Sequence, residues 1–242
     1  LVSEWARMVP RARCCLGGSQ SAPSAARRAM RFRPCIDVHK GKVKQIVGST
    51  LTDDDSTSSS SALKTNFIAR ESPSYFAKLY ASSGLYGGHM ILLSRDEETR
   101  SVARQALREF PNGIQIGGGI TNRNALSYLE DGASHVIVTS YVFKNGKLEV
   151  EKLKQLADVV GRERLVLDLS CRMKDGEYYV VTDRWQRFSS LKVNAGTLEY
   201  LAQFSDEFLI HGVDVEGKQL GIDESLVQLL GDFSPIPCTY AG

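Results

Sequence analysis

The chain has 242 residues, 42% of them hydrophobic and 24% charged, with a formal net charge of +2. That is enough to bury a sizeable core as one barrel-sized domain. No apolar run approaches the roughly 20 residues that a membrane span requires. Five cysteines with no C-x-x-C spacing argue against a disulfide framework and a zinc site.

Residues 1–29 differ in composition from the rest. They hold five arginines (Arg7, Arg11, Arg13, Arg27, Arg28) against the single acid Glu4, together with Ser, Ala, Gly and the pair Cys14-Cys15. An Arg- and Ser-rich, acid-poor leader without a continuous apolar core reads as an organelle transit peptide rather than a secretory signal. The body, 30–242, is then left at about −2, so no basic surface for nucleic acid is implied.

From Phe32 onward, short runs of Val, Ile and Leu alternate with stretches of helical period, which is the pattern of consecutive βα units. Strands are predicted near 34–38, 89–93, 113–117, 135–139, 164–169, 207–212 and 236–241, seven in all. Helices are predicted over 74–83, 98–110, 122–131, 149–161, 195–204 and 223–230, with Asn122 and Asp223 as N-caps and Gly132 and Gly161 as stops. Parallel strands joined by helices make either a doubly wound sheet or a closed barrel. The run Asp53-Asp54-Asp55-Ser56-Thr57-Ser58-Ser59-Ser60-Ser61 between the first hairpin and the first helix reads as a flexible insertion or a lid.

One device occurs twice. Ile36-Asp37-Val38 and Leu167-Asp168-Leu169 each put a carboxylate at the end of an apolar run and follow it with a polar hairpin. Downstream, each half has another apolar run ending in glycine, at Gly117 and at Gly242, 80 and 74 residues beyond its aspartate. Two homologous half-barrels explain the echo, and only strands curled round a common mouth let the two acids face one substrate. Paired carboxylates point to general acid/base chemistry. The fold expected is therefore α/β, a (βα)8 barrel built from two half-barrels. Seven strands where eight are needed, in the 212 residues from Arg31, and a start at Leu1 suggest a chain that ends before its eighth strand.

Gly117-Gly118-Gly119 lies where a strand turns into a helix, a place suited to phosphate, though a tight turn without ligand needs the same glycines. Thr139 and Ser140, at the end of the next strand, bring hydroxyls that could complete such a site. Asp214, in His211-Gly212-Val213-Asp214-Val215-Glu216-Gly217, is a third acid at a strand end, and Trp185 offers a ring for stacking on a planar substrate. No histidine spacing suggests a metal.

These residues together resemble the phosphoribosylformimino-aminoimidazole carboxamide ribotide isomerases of histidine biosynthesis, in their eukaryotic, plant-like form. The resemblance covers nearly all of 33–242. It is carried by Arg33-Pro34-Cys35-Ile36-Asp37-Val38-His39-Lys40-Gly41-Lys42-Val43, Gln115-Ile116-Gly117-Gly118-Gly119-Ile120, Leu165-Val166-Leu167-Asp168 and the segment from His211 to Gly217. It implies a (βα)8 barrel and an Amadori rearrangement of the aminoaldose ProFAR to the aminoketose PRFAR without cofactor. Asp37 matches the family's base and Asp168 its proton donor, with Asp214 near a further acid that can take the donor role.

Gly117, Gly118 and Gly119 with Thr139 and Ser140 match the first phosphate site, Gly242 begins the second, and Trp185 matches a tryptophan that stacks on the substrate. Two positions depart from bacterial members: Thr121 stands where many have Arg after G-G-G-I, and Leu92 at their strand-2 acid. The implied partner is a small bis-phosphorylated substrate, with no nucleic acid or membrane, for a monomer in the plastid stroma or, alternatively, the cytoplasm. The alternatives are the sister cyclase barrel of imidazole glycerol phosphate synthase and a non-catalytic sugar-phosphate-binding fragment.

Overall fold

The computed structural model describes residues 30–46, 65–183, 185–215 and 221–241. The leader, the acidic-serine run, Glu216, Gly217 and Gly242 lie outside the described residues. Phe32–Gly242 form one compact unit.

Among the described residues seven parallel strands carry the architecture: β1 (Cys35–His39), β4 (Gly88–Leu92), β5 (Ile114–Gly117), β6 (Val136–Val138), β9 (Leu165–Lys174), β12 (Glu207–Gly212) and β13 (Cys238–Ala241). Each pairs with the next in that order. These are the seven strands expected from the apolar runs. The connecting helices are α1 (Pro73–Ser82), α2 (Glu97–Glu109), α3 (Ala125–Glu130), α4 (Val150–Val160), α5 (Ala195–Ala202) and α6 (Glu224–Phe233). Parallel neighbours joined in sequence by helices are the βα barrel arrangement. Arg33, just before β1, draws the ends of the run together: its guanidinium pairs with Glu207 at the start of β12 and donates to Thr239 Oγ1 of β13 at 3.1 Å.

Side chains alternate along each strand and build two separate cores. Outward residues such as Ile36, Val38, Met90, Ile116, Leu167 and Phe208 pack under the helices. Inward, Ile137, Val166 and Leu209 form a small layer, with Ile91 and Ala241 against it. Each of those three buried side chains is worth roughly 1.5–3 kcal/mol over exposure. Burial also pushes the Cys171 thiol up, so it remains a thiol in the outer core.

Both aspartates are followed by hairpins, as the polar segments after them predict. Lys40-Gly41 (φ 48° and 70°) and Asp175-Gly176 (52° and 79°) are two-residue turns with both φ positive, the geometry that matches strand twist. Each hairpin gains a third strand that the sequence reading did not place. β2 (Lys42–Ile46) pairs β3 (Thr65–Ile68), and β10 (Glu177–Thr182) pairs β11 (Arg187–Lys192). A small extra hairpin, β7 (Phe143–Lys144) with β8 (Lys147–Leu148), turns on Asn145-Gly146 in the same way.

Asp223 caps α6 as expected, accepting from Leu226 N at 3.1 Å. Asn122 does not cap a helix. The next helix is short, and Asn124 precedes it, accepting from Thr121 N (2.8 Å) and donating to Gly119 O (3.0 Å), so 121–124 close a turn instead.

Candidate functional site

The register brings the carboxylates to the inside of the barrel. Asp37 is level with Ile91 and Asp168 with Leu209, both residues of the inward apolar layer, and partners in a parallel ladder share a face. Each acid therefore stands on the inward face of the strand run, on β1 and on β9. Cys35 Sγ donates to Asp37 Oδ1 at 3.3 Å.

Asp168 is more tightly surrounded. Thr139, directly after β6, donates its hydroxyl to Asp168 Oδ2 at 2.8 Å, and His211 of β12 places Nδ1 2.8 Å from Asp168 Oδ1. Both carboxyl oxygens are thus engaged and the group is held in one orientation. The sequence pattern points Thr139 toward phosphate and gives His211 no role. No local spacing could have revealed this pair, because the two residues reach Asp168 from different strands.

Trp185 lies close to this group. Its indole Nε1 donates to Ser170 Oγ at 2.9 Å, and Ser170 shares the inward face of β9 with Asp168. The ring centroid is 6.4 Å from that of His211, at an interplanar angle of 40°. Trp185 adopts φ 68°, a left-handed conformation that costs a bulky residue about 1 kcal/mol or more. The hydrogen bond to Ser170 helps to offset that cost and holds the indole near His211.

Asp214 is placed elsewhere in the network. Its carboxylate accepts from Arg172 Nε at 3.0 Å and Met173 N at 3.1 Å, which fastens the loop after β12 to the β9–β10 ribbon. The glycine run ends β5. Gly118 has φ 94°, and a Cβ there would stand 2.2 Å from Leu92 O, so close backbone packing alone demands glycine. Gly119 (φ 69°) is exposed, and a Cβ on it would be 3.7 Å from Arg95 Nε. Arg95, which the sequence reading did not single out, supplies a cation beside the loop. Ser140 is exposed next to Thr139.

Below the apolar layer lies a polar floor. Glu207 accepts from Arg33, Thr239 and Gln115. His89, buried on the same level, has no hydrogen-bond partner for Nδ1 among the described residues. Burial lowers its pKa to about 4, with His211 and Arg33 acting in the same direction and Asp168 opposing them. Among the described residues no group of three or more His, Cys, Asp or Glu could hold a metal ion, and no helix is long and apolar enough to cross a membrane.

Comparison with known proteins bears on this geometry. Residues 31–242 match the family model described as histidine biosynthesis protein. A Medicago truncatula protein is 57% identical over 224 residues, covering 93% of this chain and 72% of the relative. It is named 1-(5-phosphoribosyl)-5-((5-phosphoribosylamino)methylideneamino)imidazole-4-carboxamide isomerase, chloroplastic. Isomerases of the same name from Yarrowia lipolytica and Saccharomyces cerevisiae are 48% and 43% identical over 220 and 218 residues, each covering 88% of this chain and 81% of the relative.

Proposed function

Because the chain belongs to the histidine biosynthesis protein family, we propose that it is the isomerase that converts the aminoaldose ProFAR to the aminoketose PRFAR, by acid/base catalysis between two carboxyl groups. The observation that carries the reading is the placement of Asp37 and Asp168 on the inside of one barrel, at matching positions of its two halves. Opening the ribosylamine ring needs a proton delivered to the ring oxygen, and forming the enolamine needs one removed from C2′. Asp168 is the donor and Asp37 the base.

Trp185 covers the donor and stacks on the substrate. Gly117, Gly118 and Gly119, with Ser140 and Arg95, take one phosphate; Gly242 belongs to the second phosphate site. Asp214 anchors the ribbon through Arg172 and Met173 and does not donate the proton. The substrate is a small bis-phosphorylated molecule, the protein acts as a monomer without cofactor, and residues 1–29 act as a transit peptide that delivers it to the plastid stroma.

The test is turnover of the aminoaldose by the purified, complete enzyme, followed through its change in absorbance. Asp37→Asn is near-isosteric but cannot take the proton, so kcat should fall about 10²- to 10⁴-fold with the fold intact. A fall of less than about threefold would remove Asp37 from the chemistry. A reporter fused to residues 1–29 that stays in the cytosol would count against the stromal address.

A further inference from the structure

We infer that His211 is a positioning residue for the acid: it holds Asp168 in the orientation from which the carboxyl delivers its proton, an assignment that rests on the isomerase reading above. The geometry supplies the argument. His211 Nδ1 lies 2.8 Å from Asp168 Oδ1, and Thr139 donates to Oδ2 at the same distance, so the carboxyl plane is fixed from both sides. The two side chains are 18% and 12% exposed, which limits competition from water for the contact. Trp185, tied to Ser170, brings its ring to 6.4 Å from the imidazole, centroid to centroid.

The first half of the barrel offers a built-in control. Counting along the ladders, Asp37 is level with Ile91 and Asp168 with Leu209, so the position two residues on is Leu93 in one half and His211 in the other. The matched position thus carries leucine in the half of Asp37 and, in the half of Asp168, an imidazole in contact with the carboxyl.

The contact serves the donor before and after transfer. With the carboxyl protonated on Oδ2, an Nδ1–H donates to Oδ1. The O–H bond of the carboxyl then breaks as a new O–H bond forms at the furanose ring oxygen. The C1′–O4′ bond breaks with its electron pair going to that oxygen, while the substituent nitrogen shares its lone pair with C1′. Asp37 next removes the C2′ proton, the electrons return to nitrogen through the enolamine, and one proton has entered for one that has left. Thr139 and His211 are then both donors to the ionised Asp168, the state in which charge-assisted hydrogen bonds are strongest.

The experiment compares His211→Leu, which installs the first half's residue, with His211→Asn, whose amide can place a donor near the position of Nδ1. His211→Leu should lower kcat about 10- to 100-fold while KM stays within about threefold, and His211→Asn should recover a large part of kcat. In an Asp168→Asn background, His211→Leu should add less than about a twofold further loss, because its effect passes through the carboxyl. The proton NMR spectrum of the wild-type chain should show a downfield Nδ1–H resonance that is lost in both His211→Leu and Asp168→Asn.

A raised KM with unchanged kcat, a fully additive double variant, or a resonance that survives Asp168→Asn would each overturn the assignment. The resonance needs no substrate. A wild-type chain that shows the coupled resonance yet does not turn over the aminoaldose would therefore keep the pair and sink the isomerase reading instead.

Discussion

The two halves of the barrel, β1 to β5 and β9 to β13, repeat the same elements in the same order: a three-stranded ribbon, a helix, a strand, a helix and a strand. Their inward positions can be matched through the registers. At the floor, His89 in the first half corresponds to Glu207 in the second. In the middle Ile91 corresponds to Leu209, and toward the mouth Leu93 corresponds to His211. The apolar middle is preserved, and the polar layers differ in kind. The first half buries a neutral imidazole at the floor and presents leucine at the mouth; the second buries a paired carboxylate at the floor and presents an imidazole at the mouth. A duplicated backbone thus gives two aspartates the same position but different neighbours.

Each ribbon is also fastened to the loop after its half's second parallel strand, by different chemistry. In the first half the turn's backbone donates from Lys40 N to Ser94 Oγ (2.8 Å) and from Gly41 N to Thr99 Oγ1 (3.0 Å). In the second, Tyr178 donates its hydroxyl to Asp223 Oδ1 at 2.6 Å, and Arg172 pairs with Asp214. Both halves fasten the ribbon, the first with hydroxyl acceptors and the second with carboxylates.

The comparison can be broken most sharply at the acids. Asp168→Asn should lower kcat about 10²- to 10⁴-fold, as Asp37→Asn does, while Asp214→Asn should cost less than about tenfold. If steady-state kinetics rank Asp214→Asn as the worse of the two, the donor role passes to Asp214. Next in size is the floor. Glu207→Gln leaves Arg33 beside a neutral amide and should lower stability by about 3 kcal/mol in urea unfolding. A loss under about 1 kcal/mol would mean that this pair does not hold the ends of the strand run.

The matched histidine predicts a pH effect of similar scale. His89 titrates at about 4 in the folded chain against 6.5 normally, so the unfolded chain takes up the proton first. Its contribution is complete above about pH 6.5 and is lost as pH falls toward 4, up to about 3 kcal/mol. Urea midpoints at pH 7.5, 6 and 5 should fall more steeply for the wild type than for His89→Leu; parallel slopes would contradict the buried neutral state. The smallest effect concerns the ribbons: Tyr178→Phe should cost about 1–2 kcal/mol and Ser94→Ala about 1 kcal/mol. A clear reversal of that order in thermal unfolding would show the first anchor to be the stronger.

Much of the fold was legible because periodicity is local. The seven apolar runs became the seven parallel strands, and Asp223 reads as a cap from its place before a helical stretch. The third ribbon strands were not legible: Thr65–Ile68 has only four residues, and Arg187–Lys192 is largely polar and takes its place through cross-strand contacts such as Lys192 with Glu177 and Phe188 with Tyr179. The glycine echo was only approximate. The ladders set Gly117 level with Ile91, but it is Thr239 that stands level with Leu209.

By itself the sequence determined the strand count, the duplicated acid-bearing runs and, through residues distributed over 33–242, the family. Tertiary structure alone decided that Thr139 and His211 converge on Asp168, that Arg33 reaches Glu207 and Thr239, that Asp214 pairs with Arg172 of the ribbon, and that Trp185 reaches Ser170 from a left-handed conformation. The physical reason is range. Alternation and capping act over a few residues and leave their mark in the order of the chain. The partners of a buried carboxyl are chosen by barrel register, which brings together residues 29 and 43 positions apart that no local pattern connects.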